Sequence, residues 1–218
     1  YAAYYLGRLF LANKSDIQFQ KIGEPYTEDT TVSAPDPDCG PITGLGAFDL
    51  SPDMDEGVIV FQEAGITMLR GNPMSGTEQV TSRGEGAFCG HAFCPTPLGV
   101  MFMGRTNLWL MNTAGAVMQI GAPILTQIRL ITDKITDGDA FWMDYADERI
   151  MINFYDVSAA ALTALIGKLS PDRKEIRWSV FSVANAFGVF RNTNGLAAMV
   201  NTATPTMSFT YLNTTNGR

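Results

Sequence analysis

The chain is poor in charge: Asp, Glu, Lys and Arg make up 17% of its 218 residues, against roughly 25% in ordinary soluble domains. The 15 Lys and Arg face 22 Asp and Glu, a formal net charge of −7, and no basic block occurs anywhere. A sequence-specific DNA binder needs a basic stripe, so recognition of the phosphate backbone is excluded as the main activity. Three cysteines, Cys39, Cys89 and Cys94, are too few and too odd in number for a disulfide framework and suit a reducing site of synthesis. No apolar run approaches the roughly 18 to 20 residues that cross a bilayer as a helix, and no signal peptide opens the chain. It begins at Tyr1 and Ala2, in mid-pattern, as a section of a longer or processed polypeptide would. A phosphate-cradling glycine loop, a GxSxG elbow and an HExxH helix are all missing, so no enzyme motif is present.

What the chain has is hydrophobic residues, 46%, with abundant Gly, Thr and Asn. That composition is typical of all-β proteins and of subunits that bury much of their outside in an assembly. GVIVFQEAGITMLRG (57–71) reads as a β-hairpin, two short runs of β-formers around a turn. Similar units start at Gly7, Gly57, Gly99, Glu148 and Gly188, with offsets of 50, 42, 49 and 40 residues. The mean, about 45, is the length of a four-stranded propeller blade.

Further strand candidates precede the hairpins: ITGLGAFDL (42–50), AFCGHAF (87–93), DAFWMDYA (139–146) and WSVFSV (178–183). Others follow them: TEQVTS (77–82), AVMQIG (116–121) and KEIRWSVF (174–181). WSVFSV and KEIRWSVF share residues and cannot both be full strands. Clusters of Gly, Pro, Asn and Asp, such as GNPMSG (71–76) and NTNG (192–195), supply the reversals. The expected fold is therefore all-β, a β-propeller of about four to five antiparallel blades that could be part of a larger one, with at most one or two short helices. As one domain over 1–218, its blades fall near 1–30, 42–85, 86–132, 137–183 and 184–218.

Three segments need separate comment. PILTQIRLITDKI (123–135) spaces Ile124, Ile128, Ile131 and Ile135 at helical intervals. VSAAALTALIGKL (157–169) has the composition of a helix, N-capped by Ser158 and stopped at Gly167, but reads equally as a loop leading into a strand. EPYTEDTTVSAPDPDCGP (24–41) lacks apolar periodicity and is expected to be a long acidic surface loop, with an interface loop that orders on assembly as the alternative.

Candidate chemistry is sparse. CGHAFC puts Cys89, His91 and Cys94 within six residues, but zinc wants four ligands, and a buried strand with small thiols is the favoured reading over a metal site or a Cys and His nucleophile pair. Asp49, Asp53, Asp55 and Glu56 miss the EF-hand spacing, with Pro52 among them, and read as a solvated turn. Asp137, Asp139, Asp144, Asp147 and Glu148 crowd one region, yet no sequence shows a carboxylate separation of roughly 5 to 9 Å. The aromatics Phe61, Phe102, Trp109, Phe141, Trp142, Phe154, Trp178, Phe181, Phe187 and Phe190 fall inside proposed strands and are expected to fill the space between sheets. Neither catalytic, cofactor-binding nor metal residues are assigned.

GRLFLANKSDIQF, GVIVFQEAGITMLRG, FCPTPLGVMFMGRTNLWLMN and DAFWMDYADERIMINFY with the later EIRWSVF together resemble the β-propeller tail proteins of short-tailed bacteriophages, the nozzle or tail tubular proteins below the portal and adaptor rings. The likeness covers most of the chain and concerns blade architecture. It implies a structural protein of the virion tail, made in the host bacterial cytoplasm. Roughly six copies would form a ring that meets the portal, the adaptor and other tail proteins, with tail fibres among the candidate partners. DNA would pass through unread, kept from sticking by an acidic lumen; Asp53, Asp55, Glu56 and the Asp36 to Asp38 turn are exposed candidates for its lining. The competing expectation is a propeller that binds or cleaves glycans at a cell or virion surface. WD or kelch signatures of a cytosolic scaffold are not found.

Overall fold

Within each sheet the strands form an antiparallel meander, each pairing with the next in the chain. The computed structural model describes residues 1–5, 8–21, 24–33, 36–48, 57–70, 78–112, 114–134, 141–146, 148–156, 161–170, 175–184, 186–192, 195–201 and 207–211. The first sheet comprises β1 (Ala2–Tyr5), β2 (Arg8–Ala12), β3 (Asp16–Lys21) and β4 (Glu24–Ser33); the second, β5 (Ile42–Phe48), β6 (Gly57–Gln62), β7 (Gly65–Arg70) and β8 (Glu78–Arg83). The third holds β9 (Phe93–Thr96), β10 (Gly99–Met103), β11 (Leu108–Met111) and β12 (Val117–Gln119), and is followed by helix α1 (Leu125–Lys134). The fourth holds β13 (Phe141–Ala146), β14 (Arg149–Asp156), β15 (Ala161–Leu169) and β16 (Ile176–Ala184); the fifth, three-stranded, holds β17 (Ala186–Asn192), β18 (Gly195–Asn201) and β19 (Met207–Tyr211). The fold is mostly β, with one α-helix among the described residues.

Central strands explain the unbroken apolar runs. Every residue of β6 and of β10 is buried, because both faces of these strands are covered; alternation would require one face in water. Gly57 and Gly99 open these second strands, as Arg8 and Arg149 do just after Gly7 and Glu148. In the fifth sheet the pattern shifts: Gly188 lies inside the first strand, β17.

The chain divides into two compact units, Tyr1–Arg129 and Leu130–Arg218. In the first, consecutive sheets stack. Phe10, Ile17 and Phe19 share a core with Ile42, Leu45, Val58, Val60 and Leu69, and the two sheets meet through β1, β2, β5 and β6. Phe61 then joins the second sheet to the third, its ring centroid 4.8 Å from Phe93 and 5.4 Å from Phe102. Gly46 of β5 has the Phe93 ring where a side chain would stand. In the second unit β17 packs on β14 and β15, and the Trp178 ring covers its cross-strand partner Gly167.

Four local expectations are corrected or resolved. Residues 24–33 of the supposed loop form β4, bonded to β3 with register shifts at Gln20, and a 3-10 turn follows at Pro37–Cys39. An outermost strand tolerates polar residues and Pro25, because it needs neither two apolar faces nor a full set of ladder donors. Residues 161–169 of the ambiguous segment form β15, paired on both sides with β14 and β16, so tertiary pairing overrides helix-forming composition there; 157–160, with Ser158, lie outside the described residues. Residues 176–181 of KEIRWSVF open β16, the fourth strand of the fourth sheet, and WSVFSV lies within that same strand. AFCGHAF is not a strand: residues 87–92 form a turn with Ala87 and Ala92 buried, and β9 starts at Phe93. The expected helix is present as α1, with Ile128 and Ile131 buried and Ile124 buried in the 3-10 turn just before it; Ile135 lies outside the described residues.

Candidate functional site

The described residues build polar structure chiefly where one sheet hands the chain to the next. Each connection in the first unit runs across the tip of a β-hairpin. From the β2–β3 turn, Lys14 gives its carbonyl to Ile42 N–H (2.8 Å); the segment then accepts Ala64 N–H at Cys39 O (2.9 Å) and Glu63 N–H at Pro41 O (3.1 Å), at the β6–β7 tip. From that tip, Gly84 and Gly86 donate to Ala64 O and Glu63 O, and Phe88 N–H reaches Met103 O at the end of β10. From the β10–β11 tip, Leu108 O accepts Ile120 and Gly121 N–H. The same stitch is thus made three times, and it pairs loop backbone that would otherwise be unsatisfied.

Side chains lock two of these stitches. At the first, Asp36 caps the 3-10 turn, its carboxylate accepting Asp38 N–H at 3.1 Å, with Pro37 as the next residue. Gln62, fully buried, donates its amide to Asp36 O and Gly40 O, both at 2.8 Å. Arg83 reaches back from the end of β8 to Asp36 (Nε to Oδ2, 3.1 Å) and Asp38 (Nη2 to Oδ2, 3.1 Å). Burial alone would push the Asp36 carboxyl up; the Asp38 amide, the Cys39 thiol and the Arg83 guanidinium outweigh it and hold it below the ordinary carboxylate range. Burial, then Asp36, push the Cys39 thiol up, so it stays protonated and is a poor nucleophile.

The sign of the resulting pH dependence follows directly. A carboxyl with a folded-state pKa below its unfolded one adds stability that is complete above the unfolded value and lost as pH falls through the folded value. The midpoint of denaturant unfolding is therefore expected to fall as pH drops below about 4, and Asp36→Asn is expected to flatten that limb. An unchanged acid limb in the variant would show that Asp36 is not the linked group.

At the second stitch Glu85 accepts three donors: Thr106 N–H (2.7 Å), Thr106 Oγ1–H (2.7 Å) and the Trp109 indole N–H (2.8 Å). Its carboxylate ties the connection after β8 to the β10–β11 hairpin, with Trp109 stacked on Phe102 at 6.4 Å. Glu85→Ala leaves the part-buried Trp109 indole N–H unpaired and is expected to cost about 1 to 3 kcal/mol, with Glu85→Gln recovering part of it. Equal loss in both variants, by urea unfolding followed through tryptophan fluorescence, would contradict this arrangement.

The residues singled out in the sequence are not brought together. Cys89 is half-buried and His91 exposed, both in the 87–92 turn, while Cys94 is buried on β9. Among the described residues no group of three or more His, Cys, Asp or Glu could hold a metal ion. Asp49, Asp53, Asp55, Glu56, Asp137, Asp139 and Asp147 lie outside the described residues; Asp144 and Glu148 are exposed, and Glu148 takes a positive φ of 58° at the β13–β14 turn. Of the acidic turn at 36 to 38, Asp36 is committed to its cap and to Arg83, its side chain only 15% exposed, while Asp38 is 78% exposed but paired with the same arginine. Phe61, Phe102, Phe141 and Phe154 are buried as expected, and Trp109, Trp142 and Trp178 are half-buried. The side chains of Phe181, Phe187 and Phe190 lie outside the described set. Sequence reading missed Gln62, Arg83 and Glu85. Arg83 is 47 residues from Asp36 and Glu85 is 24 from Trp109, so no local spacing marks them.

No protein-family model and no curated protein matches the chain. No described helix is long and apolar enough to cross a membrane.

Proposed function

We propose that this chain is a structural subunit of a short-tailed phage tail, a β-propeller of the nozzle or tail tubular kind, without enzymatic activity. Roughly six copies form a ring below the portal and adaptor and serve as a conduit for genome ejection. The observation that carries this reading is the run of consecutive antiparallel meanders, four of them four-stranded, with the connections of the first unit each laid across a hairpin tip. The first and second sheets meet through β1, β2, β5 and β6, and such stacking of consecutive sheets is what a propeller would need.

The polar side chains support a mechanical role. Asp36, Gln62, Arg83 and Glu85 spend their hydrogen bonds on holding loops to neighbouring sheets, and the buried phenylalanines fill the space between sheets instead of presenting an outward sugar platform. A ring built to carry internal pressure needs such internal ties, with permanent subunit contacts above about 2,000 Å². The net charge of −7 would keep the DNA backbone from adhering as it slides.

Native mass spectrometry with negative-stain imaging of the purified chain tests the proposal. A closed ring of several copies with a central hole is expected, as is antibody labelling of tails on phage particles that contain the protein. A monomer that binds glycans on an array would overturn it in favour of the glycan-binding alternative.

A further inference from the structure

From Thr106 to Ile128 the sequence holds no Asp, Glu, Lys, Arg or His, an uncharged stretch bracketed by Arg105 and Arg129. In a chain with this composition about four charged side chains would be expected there. The stretch is not simply core. Leu108, Leu110 and Met111 of β11 are buried, but Ala114, Ala116, Met118, Gln119, Ala122 and Pro123 are exposed around β12, Met118 at 47%.

β12 is the outermost strand of the third sheet. By sequence, the corresponding fourth strands hold residue types that guard open edges: Glu24, Pro25, Glu28 and Asp29 in β4, Glu78 and Arg83 in β8, Arg177 in β16. β12 carries none of these guards.

We propose that the β12 edge and its flanking turns are the surface by which one copy of this chain packs against a second copy. This rests on the ring assembly proposed above. Charge selects the occupant. Two copies of a chain with net charge −7 repel over most of their surfaces, and the least costly approach is where neither carries charge. A basic partner or an anionic polymer finds no electrostatic handle on this edge, and a glycan needs convergent polar groups in a concave pocket. Three paired residues are too short a strand to extend the sheet by main-chain bonds alone. Contact therefore falls to side chains, with the adaptable Met118 at its centre.

The test uses the full chain and two single variants, Met118→Glu and Ala116→Glu, both at exposed positions, with far-UV circular dichroism to confirm the fold. Mass is read by light scattering after size exclusion across a concentration series, with Tyr4→Glu as comparator, since Tyr4 on β1 is 68% exposed. Wild type is expected to assemble. Each β12 variant is expected to raise the dissociation concentration at least about tenfold, while Tyr4→Glu assembles like wild type. If wild type assembles but both β12 variants assemble equally well, or if Tyr4→Glu dissociates instead, the β12 assignment is wrong and the assembly survives. A wild type that stays monomeric at every concentration overturns both.

Discussion

Phe61→Ala is expected to lower the free energy of unfolding by about 3 to 5 kcal/mol, among the largest single effects available in the first unit. The side chain is fully buried on the central strand β6, and its ring meets Phe93 and Phe102 of the next sheet. Truncation removes the transfer free energy of the ring, opens a cavity between two sheets, and breaks both aromatic pairs. Neighbouring strands are pinned by their ladders, so the gap cannot close by a small backbone shift. Phe61→Leu keeps much of the volume and should cost under about 2 kcal/mol. Thermal unfolding followed by circular dichroism should show the alanine variant melting roughly 10 °C lower. A shift of a degree or two would mean that Phe61 does not fill the space between sheets.

Gly99→Ala is expected to cost about 3 kcal/mol or more, and Gly84→Ala only about 1 to 2. Both glycines adopt positive φ, 135° and 151°, where a Cβ is strained, and that cost is common to the pair. They differ in surroundings. A Cβ at Gly99 would strike the Met111 carbonyl oxygen in the neighbouring strand, whereas one at Gly84 meets no atom within 4 Å. The difference between the two variants therefore isolates the steric part, and guanidinium unfolding of both measures it. Equal losses would place the whole effect in backbone strain and remove the close approach of β10 to β11 from the explanation.

The central strands β6 and β10 were legible because burial on both faces writes a nearly continuous apolar run, and β14 was legible despite the buried Asn153 that interrupts its run. Helix α1 was legible because Ile128 and Ile131, with Ile124 in the turn that leads into it, are buried at helical spacing. β4 was not, since an outermost strand is bound through backbone on one side and its acidic composition matches that of a loop. The 87–92 turn was not legible, since AFCGHAF is short and largely apolar like a strand while its backbone wraps the end of β10, with Phe88 N–H on Met103 O and Met103 N–H on Ala92 O. β15 stayed ambiguous until its pairing on both sides was known.

What the amino-acid order determined by itself is the period: short apolar strands broken by Gly, Pro, Asn and Asp at about 45 residues, hence antiparallel meanders, for pleat and turn chemistry are local. What only the tertiary structure decided is how the meanders are tied. Gln62 closes on the 36–40 turn, Arg83 on Asp36, and Glu85 on Thr106 and Trp109. Those bonds join residues 21 to 47 apart, and such pairings depend on sheets already stacked, which no spacing along the chain encodes.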